Sequence, residues 1–219
     1  NLTLFSTYGT EKKGLYLQWL EQDHALLVPP SDRGKSVSLD GYVAYAVYNQ
    51  LFSPTFTMKV RGSYNQQLVG IPFDLSGIFT PAVGLGGEIQ FNWKPNPQHS
   101  VSFGMDYKYD SAETTYYGEQ YANGFAPYIQ EIWNLSNLFQ LNVGLRWDNY
   151  ILVGDSLETQ ISPKIGFSYQ PVYGTIFHGS IGRAFRAATV VERFLEVEGG
   201  DLVWNSNPDL MPERSLLTD

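Results

Sequence analysis

Two parts of the chain combine residue types that could bind a ligand. The first is a segment that we predict to be a loop, Asp110–Ala122, whose three tyrosines are interspersed with carboxylates: Tyr116, Tyr117, Tyr121, Asp110, Glu113 and Glu119. Tyrosine offers a large contact area at low entropic cost, and binding residues concentrate on loops displayed by a rigid scaffold. We therefore interpret these tyrosines as candidate ligand contacts. The alternative is a loop that only covers its neighbours.

The second part is the pair Arg183 and Arg186, at the end of a predicted strand. An arginine that faces inward can hold an anionic ligand, or a carboxylate of a neighbouring domain, through two parallel hydrogen bonds. Both interpretations stay open, the structural one being the simpler. The acidic loop Thr189–Ser206 could bind Ca²⁺ through oxygen atoms, but a solvated loop is the better explanation of its composition.

Residues that could catalyse a reaction or bind a transition metal are scattered. The chain has no cysteine, and its three histidines, His24, His99 and His178, lie far apart in the sequence. It contains no paired-histidine motif, no glycine-rich phosphate loop and no nucleophile elbow. We therefore expect no enzymatic activity, no metal site and no cofactor.

Composition limits the class of protein further. The formal net charge of −8 argues against nucleic acid as a partner. No run of about 18 uncharged apolar residues is present, so the sequence predicts no transmembrane helix. Aromatic residues make up 15% of the chain and charged residues only 16%, a balance found in outer-membrane β-barrels and in some soluble β-proteins.

Most of the chain alternates between apolar and polar residues, which predicts β-strands with one face of each kind. The clearest example places Phe139, Val143 and Trp147 on one face and Gln140 and Arg146 on the other. We predict ten strands and the start of another after Glu213: Leu2–Tyr8, Leu15–Gln22, Leu39–Phe52, Thr55–Asn65, Val83–Trp93, Ser100–Tyr109, Phe125–Trp133, Leu138–Tyr150, Ile161–Gln170 and one ending at Phe185-Arg186.

The predicted connections alternate in length. Short ones fall near Gly9, Ser53, Lys94, Asn134 and Pro171; long ones follow Gln22, Asn65, Tyr109, Tyr150 and Ala187. Transmembrane β-barrels have short periplasmic turns and long extracellular loops, so this pattern favours an antiparallel barrel over a soluble β-protein. Because a Lys or Arg facing mid-bilayer costs about 2–4 kcal/mol, the apolar faces must point outward. The interior would then hold Lys59, Arg61, Glu88, Asp106, Arg146 and Lys164.

Four sequence pieces in fixed order resemble the middle of the barrel in TonB-dependent outer-membrane receptors. The family has a phrase like SPxxGxxYxP, a strand ending in GRxFRAP, a loop, and NPxLxPE. The matching residues here are Ser162-Pro163, Gly166, Tyr169, Pro171, Gly182-Arg183, Phe185-Arg186-Ala187, Asn207-Pro208 and Pro212-Glu213. Ala188 stands where the family often has Pro.

The resemblance implies a barrel of about 22 strands closed by a globular plug. Residues 1–219 would form part of one such barrel domain, with the plug and the C-terminal strands outside the given sequence. It further implies a location in the bacterial outer membrane, contact with its lipid and lipopolysaccharide, and a periplasmic energy-coupling protein that acts on the plug.

The function implied by the resemblance is uptake of a scarce small-molecule solute, most simply a ferric siderophore. Haem is disfavoured, because family members that take up haem usually carry a His between the last two motifs and Ala187–Ser206 has none. A passive porin, which needs only a hydrated interior, is the first alternative. A surface barrel whose loops contact another molecule is the second. The sequence does not identify the ligand.

Overall fold

The computed structural model describes the chain except for residues 15–19, 25–26, 31–32, 71–78, 115–117, 153–156, 195 and 200–201. Within these described residues the strands are β1 (Leu2–Gly14), β2 (Ser36–Ser53), β3 (Phe56–Gly70), β4 (Phe79–Asn96), β5 (His99–Thr114), β6 (Gly118–Asn134), β7 (Phe139–Leu152), β8 (Glu158–Val172), β9 (Thr175–Arg186), β10 (Val197–Gly199), β11 (Leu202–Trp204) and β12 (Glu213–Thr218). Helix α1 spans Val190–Phe194, and a 3₁₀ turn spans Gln22–His24. No helix in this part of the chain has the length and hydropathy needed to cross a membrane.

Ten strands form one antiparallel sheet in which neighbours in sequence are neighbours in space, β1 to β9 in order and then β12. The short strands β10 and β11 pair only with each other. This arrangement confirms the predicted all-β antiparallel fold of about ten strands. Strands β1 to β9 are 12 to 18 residues long, more than the roughly 9–11 residues that cross a bilayer.

The predicted start of the sheet is corrected. The turn expected at Gly9–Gly14 is strand, because every residue from Leu2 to Gly14 pairs with a residue of β2. Most of the predicted strand Leu15–Gln22 lies outside the described residues, and Gln22 begins the 3₁₀ turn. Hydrogen bonding to a long neighbouring strand therefore outweighs the local preference of glycine for turns.

The prediction of a loop at Asp110–Ala122 is also wrong. Strand β5 continues to Thr114 and β6 begins at Gly118, so only residues 115–117 connect them. At this end of the sheet, which we call the long-connection end, the connections are residues 15–35, 71–78, 115–117, 153–157 and 187–212. At the opposite, short-connection end they are residues 54–55, 97–98, 135–138 and 173–174.

The register gives the sheet one apolar and one polar face. Directly paired residues share a face, so Ile89, Met105 and Leu145 belong to a continuous apolar surface that we call the outer face. Neighbouring aromatic rings stack across the strands, for example Phe91 on Phe103 at 5.3 Å between ring centroids. Large apolar side chains of this face remain exposed, as is required of a surface that contacts lipid.

The opposite face, which we call the inner face, carries the charged and small residues. Strand β6 was ambiguous in sequence, since it is apolar in both phases, but pairing places Ala126 and Tyr128 opposite Asp106 and Gly104 on the inner face. The sheet curves around a hollow whose wall includes residues from β3 to β9. The small buried core of the described part of the chain consists of Ala122, Leu152 and Val190.

Candidate functional site

Ion pairs join strands across the inner face. Arg61 on β3 binds Glu88 on β4, and the Tyr128 hydroxyl on β6 donates to the same carboxylate at 2.7 Å. These three side chains therefore connect β3, β4 and β6 on the polar side of the sheet, across the intervening strand β5. Arg61 and Glu88 thus compensate each other's charge on this face.

A second network lies beside the first, since Asp106 pairs with Glu88 and Arg146 pairs with Tyr128. Arg146 on β7 binds Asp106 on β5, and its Nε atom donates to Asp148 at 2.7 Å. The Ser162 hydroxyl on β8 donates to the other Asp148 oxygen at 3.2 Å. One guanidinium thus pairs with two carboxylates. The network links Asp106, Arg146 and Asp148, which belong to the wall of the larger hollow on the inner face.

Hollows open on the inner face of the described part of the chain. The hollow nearer the long-connection end, which we call the upper hollow, has a volume of about 570 Å³. The charged residues of its wall are Asp106, Lys108, Asp110, Arg146, Asp148 and Arg186. All six belong to ion pairs within the protein, so this hollow presents balanced charge rather than a free cationic or anionic site. The hollow nearer the short-connection end, which we call the lower hollow, has a volume of about 400 Å³ and is bordered by Lys164 and Arg183.

The connection between β9 and β12 folds onto the inner face through α1. Val190 packs with Ala122 of β6 and Leu152 of β7. The helix begins with reciprocal capping: the Thr189 hydroxyl accepts from the Glu192 amide at 3.3 Å, and Glu192 Oε2 accepts from the Thr189 amide at 2.8 Å. This Thr-x-x-Glu capping box explains why so short a segment is helical.

Arg186 at the end of β9 is the hub of this connection. It donates two hydrogen bonds to Glu192, at 2.9 and 3.0 Å, and two to Glu213 of β12, at 3.0 and 2.7 Å. The Arg186 guanidinium, helped by the Thr189 amide and hydroxyl, lowers the pKa of Glu192 to about 2. The arginine therefore binds the start of α1 to the start of the next strand.

Arg193 holds the other end of α1. Its side chain is only 2% exposed and forms an ion pair with Glu158 of β8. Its backbone oxygen accepts from the Asn207 amide at 2.8 Å, and its Nη1 donates to the Pro208 oxygen at 3.5 Å. The turn at Asn207-Pro208 is thereby fixed against α1. Two of the pieces of sequence that resemble the receptor family, the one with Arg186 and the one from Asn207 to Glu213, thus meet around α1.

The structure places the predicted ligand residues in different surroundings. Tyr116 and Tyr117 lie outside the described residues. Tyr121 belongs to β6, in phase with the apolar residues of the outer face, and its ring is tilted against Tyr109 at 6.4 Å. Arg186 is engaged by Glu192 and Glu213. Arg183 lies opposite Leu216 of β12 and makes no ion pair within the described part of the chain.

The histidines and the acidic loop are likewise separate. His24, His99 and His178 each lie beside one carboxylate, from Glu21, Glu131 and Asp219 respectively. Over the described ranges no group of three metal-ligating side chains is present. Two carboxylates of the acidic loop have partners in the protein, since Glu192 binds Arg186 and Glu196 accepts from Ser206 at 3.3 Å. Asp201 lies outside the described residues.

Comparison with known proteins shows the family. The family model described as "TonB dependent receptor-like, beta-barrel" matches residues 4–216. No curated protein matches the chain.

Solved structures of bacterial iron transporters have the same fold. The F5-1 variant of the FrpB iron transporter from Neisseria meningitidis has a TM-score of 0.73 at 12% identity over 99% of this chain, and the F3-3 variant has 0.70 at 12% over 85%. The ferric yersiniabactin uptake receptor FyuA from Yersinia pestis has 0.64 at 13% over 98%. The chain spans only 35 to 39% of those proteins. The match of the family model to almost the whole sequence shows that the chain belongs to the TonB-dependent receptor β-barrel family.

Proposed function

We propose that this chain is part of the barrel of an outer-membrane transporter that takes up a scarce solute, most simply a ferric siderophore. The observation that carries the proposal is the family match over residues 4–216. The similar solved structures are, by their descriptions, an iron transporter and a ferric yersiniabactin uptake receptor. The whole protein would include a plug and the remaining strands of a barrel of about 22, and a periplasmic protein would supply the energy.

The polar inner face supports a transport path. Lys59 and Lys164 have positions on this face and no ion pair among the residues described. Free cations of this kind suit an anionic chelate, or the carboxylates of a plug that fills the barrel. The upper hollow, whose charges are balanced, suits a polar solute that is released rather than held.

The solute would enter at the long-connection end, which faces the cell exterior in barrels of this type. Tyr116 and Tyr117, which lie between β5 and β6 in the sequence and outside the described residues, stay our proposed ligand contacts. Tyr121 is a weaker candidate, because its strand position groups it with the outer-face aromatics rather than with the hollow. Arg183 stays a proposed ligand contact but is also a weaker candidate: it borders the lower hollow, whereas its strand position, in phase with Ile181, groups it with the outer face. Arg186 is proposed as a structural residue of the cluster around α1.

Energised uptake tests the proposal. The full-length gene would be expressed in a receptor-deficient Gram-negative strain, and uptake of a panel of ⁵⁵Fe-labelled siderophores would be measured. We expect accumulation of at least one chelate, abolished by removal of the energy-coupling protein. Uptake that persists without that protein would instead indicate a passive porin. Stable surface complexes without any uptake would indicate the adhesive barrel.

The tyrosines are tested in the same assay. Replacing Tyr116 and Tyr117 with Ala removes aromatic contact area, and each residue that buries its ring is worth about 1–2 kcal/mol, so affinity should fall by about tenfold or more. The matched control is Tyr173→Ala, a fully exposed tyrosine in the turn at the short-connection end. Equal affinity in both variants would remove these tyrosines from the ligand site.

A further inference from the structure

One histidine–carboxylate pair lies on the outer face rather than the inner one. In β6, Glu131 alternates in phase with Ile129 and Trp133, and its pairing partner on β5 is Val101. His99 is paired with Trp133 in the same register. His99 Nδ1 lies 2.5 Å from Glu131 Oε1, and the His99 ring stacks on Trp133 with 5.5 Å between ring centroids and 23° between planes. A carboxylate and an imidazole thus occupy a surface that otherwise contacts lipid.

The position of this pair along the strand sets its depth. β6 ends at Asn134, so Glu131 lies three residues from the short-connection end. At about 3.3 Å per residue and a strand tilt of about 40°, this corresponds to roughly 8 Å from the rim. Trp93 and Trp133 lie near the same rim, where tryptophan typically marks the boundary between headgroups and acyl chains. The charges therefore lie at headgroup level, not at mid-bilayer.

The three side chains offer complementary contacts for a zwitterion. Glu131 is 40% exposed at its side chain, and its Oε2 atom accepts no hydrogen bond from the described residues. The Trp133 ring beside it can hold a cation against its face. The His99 Nε2 atom points to no protein partner among those residues and can contact a phosphate.

We propose that His99, Glu131 and Trp133 bind the headgroup of a phospholipid that carries a primary ammonium. Glu131 accepts from the ammonium, Trp133 covers it, and His99 contacts the phosphate. Short turns face the periplasm in outer-membrane barrels, so the lipid is a glycerophospholipid of the inner leaflet and not lipopolysaccharide, which occupies the other leaflet. The site lies wholly on two described neighbouring strands, β5 and β6, and so does not depend on the rest of the barrel.

Native mass spectrometry of the full-length protein tests the site. The protein would be exchanged into a mixture of equal parts phosphatidylethanolamine, phosphatidylcholine and phosphatidylglycerol, then released from detergent and weighed with its retained lipids. We expect retention of phosphatidylethanolamine above both others, because only its ammonium donates N–H bonds. Equal retention of phosphatidylethanolamine and either other lipid would overturn the proposal, and this result needs no variant.

A charge-removing variant locates the preference. Glu131→Gln should lower retention of phosphatidylethanolamine by about tenfold, since a charge-assisted hydrogen bond is lost. Glu119→Gln is the matched control, because it removes the same charge from the other end of the same strand. It should leave retention unchanged. Folding of both variants is checked by the heat-dependent shift of the barrel on gels. An unchanged preference in folded Glu131→Gln would also overturn the proposal.

Discussion

Arg186 and Arg193, seven positions apart in sequence, fix the connection between β9 and β12 to the inner face. Only part of this arrangement could be predicted from the sequence. The Thr189-x-x-Glu192 capping box is a local signal that was available. The contact between Arg193 and Glu158 joins residues 35 positions apart, and no local pattern specifies it. Sequence reasoning therefore singled out Arg186 but missed the carboxylates that bind it.

The charge of Glu192 makes the docking of α1 dependent on pH. Its pKa in the folded protein is about 2, below the value of roughly 4.3 for a free glutamate. The stabilisation is therefore complete above about pH 4.3 and is lost as the pH falls through 2. A spin label at the exposed residue Asn205 should stay ordered from pH 7 to pH 5 and gain mobility toward pH 2. Glu192→Gln should already be mobile at pH 7; equal mobility in both proteins would contradict this account.

The buried ion pair between Arg193 and Glu158 gives a sharper test of how α1 is held. Replacing Arg193 with Met leaves the Glu158 carboxylate buried without its cation, a change that typically costs 3–5 kcal/mol. We expect protease cleavage within residues 187–212 to accelerate by about tenfold or more. The double variant with Glu158→Leu should recover much of the protection, because both charges are gone. Cleavage of the double variant as fast as that of the single one would show that the pair does not hold α1.

The faces of β4, β5, β7 and β8 were predicted correctly from alternation, whereas those of β6, which is apolar in both phases, follow only from its pairing. Alternation in β7 and β8 follows from contact with lipid on one side and polar groups on the other, a constraint that acts on every residue. Outside the membrane-spanning part of the strands this constraint does not act. The sequence therefore led us to predict a turn at Gly9–Gly14 and a loop at Asp110–Ala122. There the strands are extended by hydrogen bonds to long neighbours, and the sequence carries no alternation to reveal it.

Close packing between strands predicts a site-specific effect of glycine substitution. A methyl group at Gly104 in β5 would clash with the Ile89 backbone oxygen and crowd the Tyr128 hydroxyl. Gly104→Ala should therefore push β4 from β5 and destabilise the barrel by about 1–3 kcal/mol, as overpacking usually does. In Gly124→Ala, on the same face, the nearest atom is 3.6 Å away. Urea unfolding in detergent compares them, and equal midpoints would refute the clash.

The described part of the molecule is a sheet with one apolar and one polar face. Its outer face exposes large apolar side chains, whereas its inner face carries ion pairs, two hollows and α1. Because the chain spans 35 to 39% of the similar iron transporters, the complete barrel would close around these features. Fold and family follow from alternation and motif order together. The identity of the solute does not, since it depends on side chains at the long-connection end and on a plug.

Spin-label accessibility tests the two-faced wall most directly. Labels would be introduced one at a time into the full-length protein in lipid vesicles, on adjacent residues of β7 and β8 that differ only in face. Collision rates with oxygen, which concentrates in lipid, and with a water-soluble nickel chelate would be measured. We predict oxygen access at Val143, Leu145 and Phe167 and nickel access at Asn142, Lys164 and Ser168. Uniform nickel access at all six positions would contradict a membrane-spanning barrel.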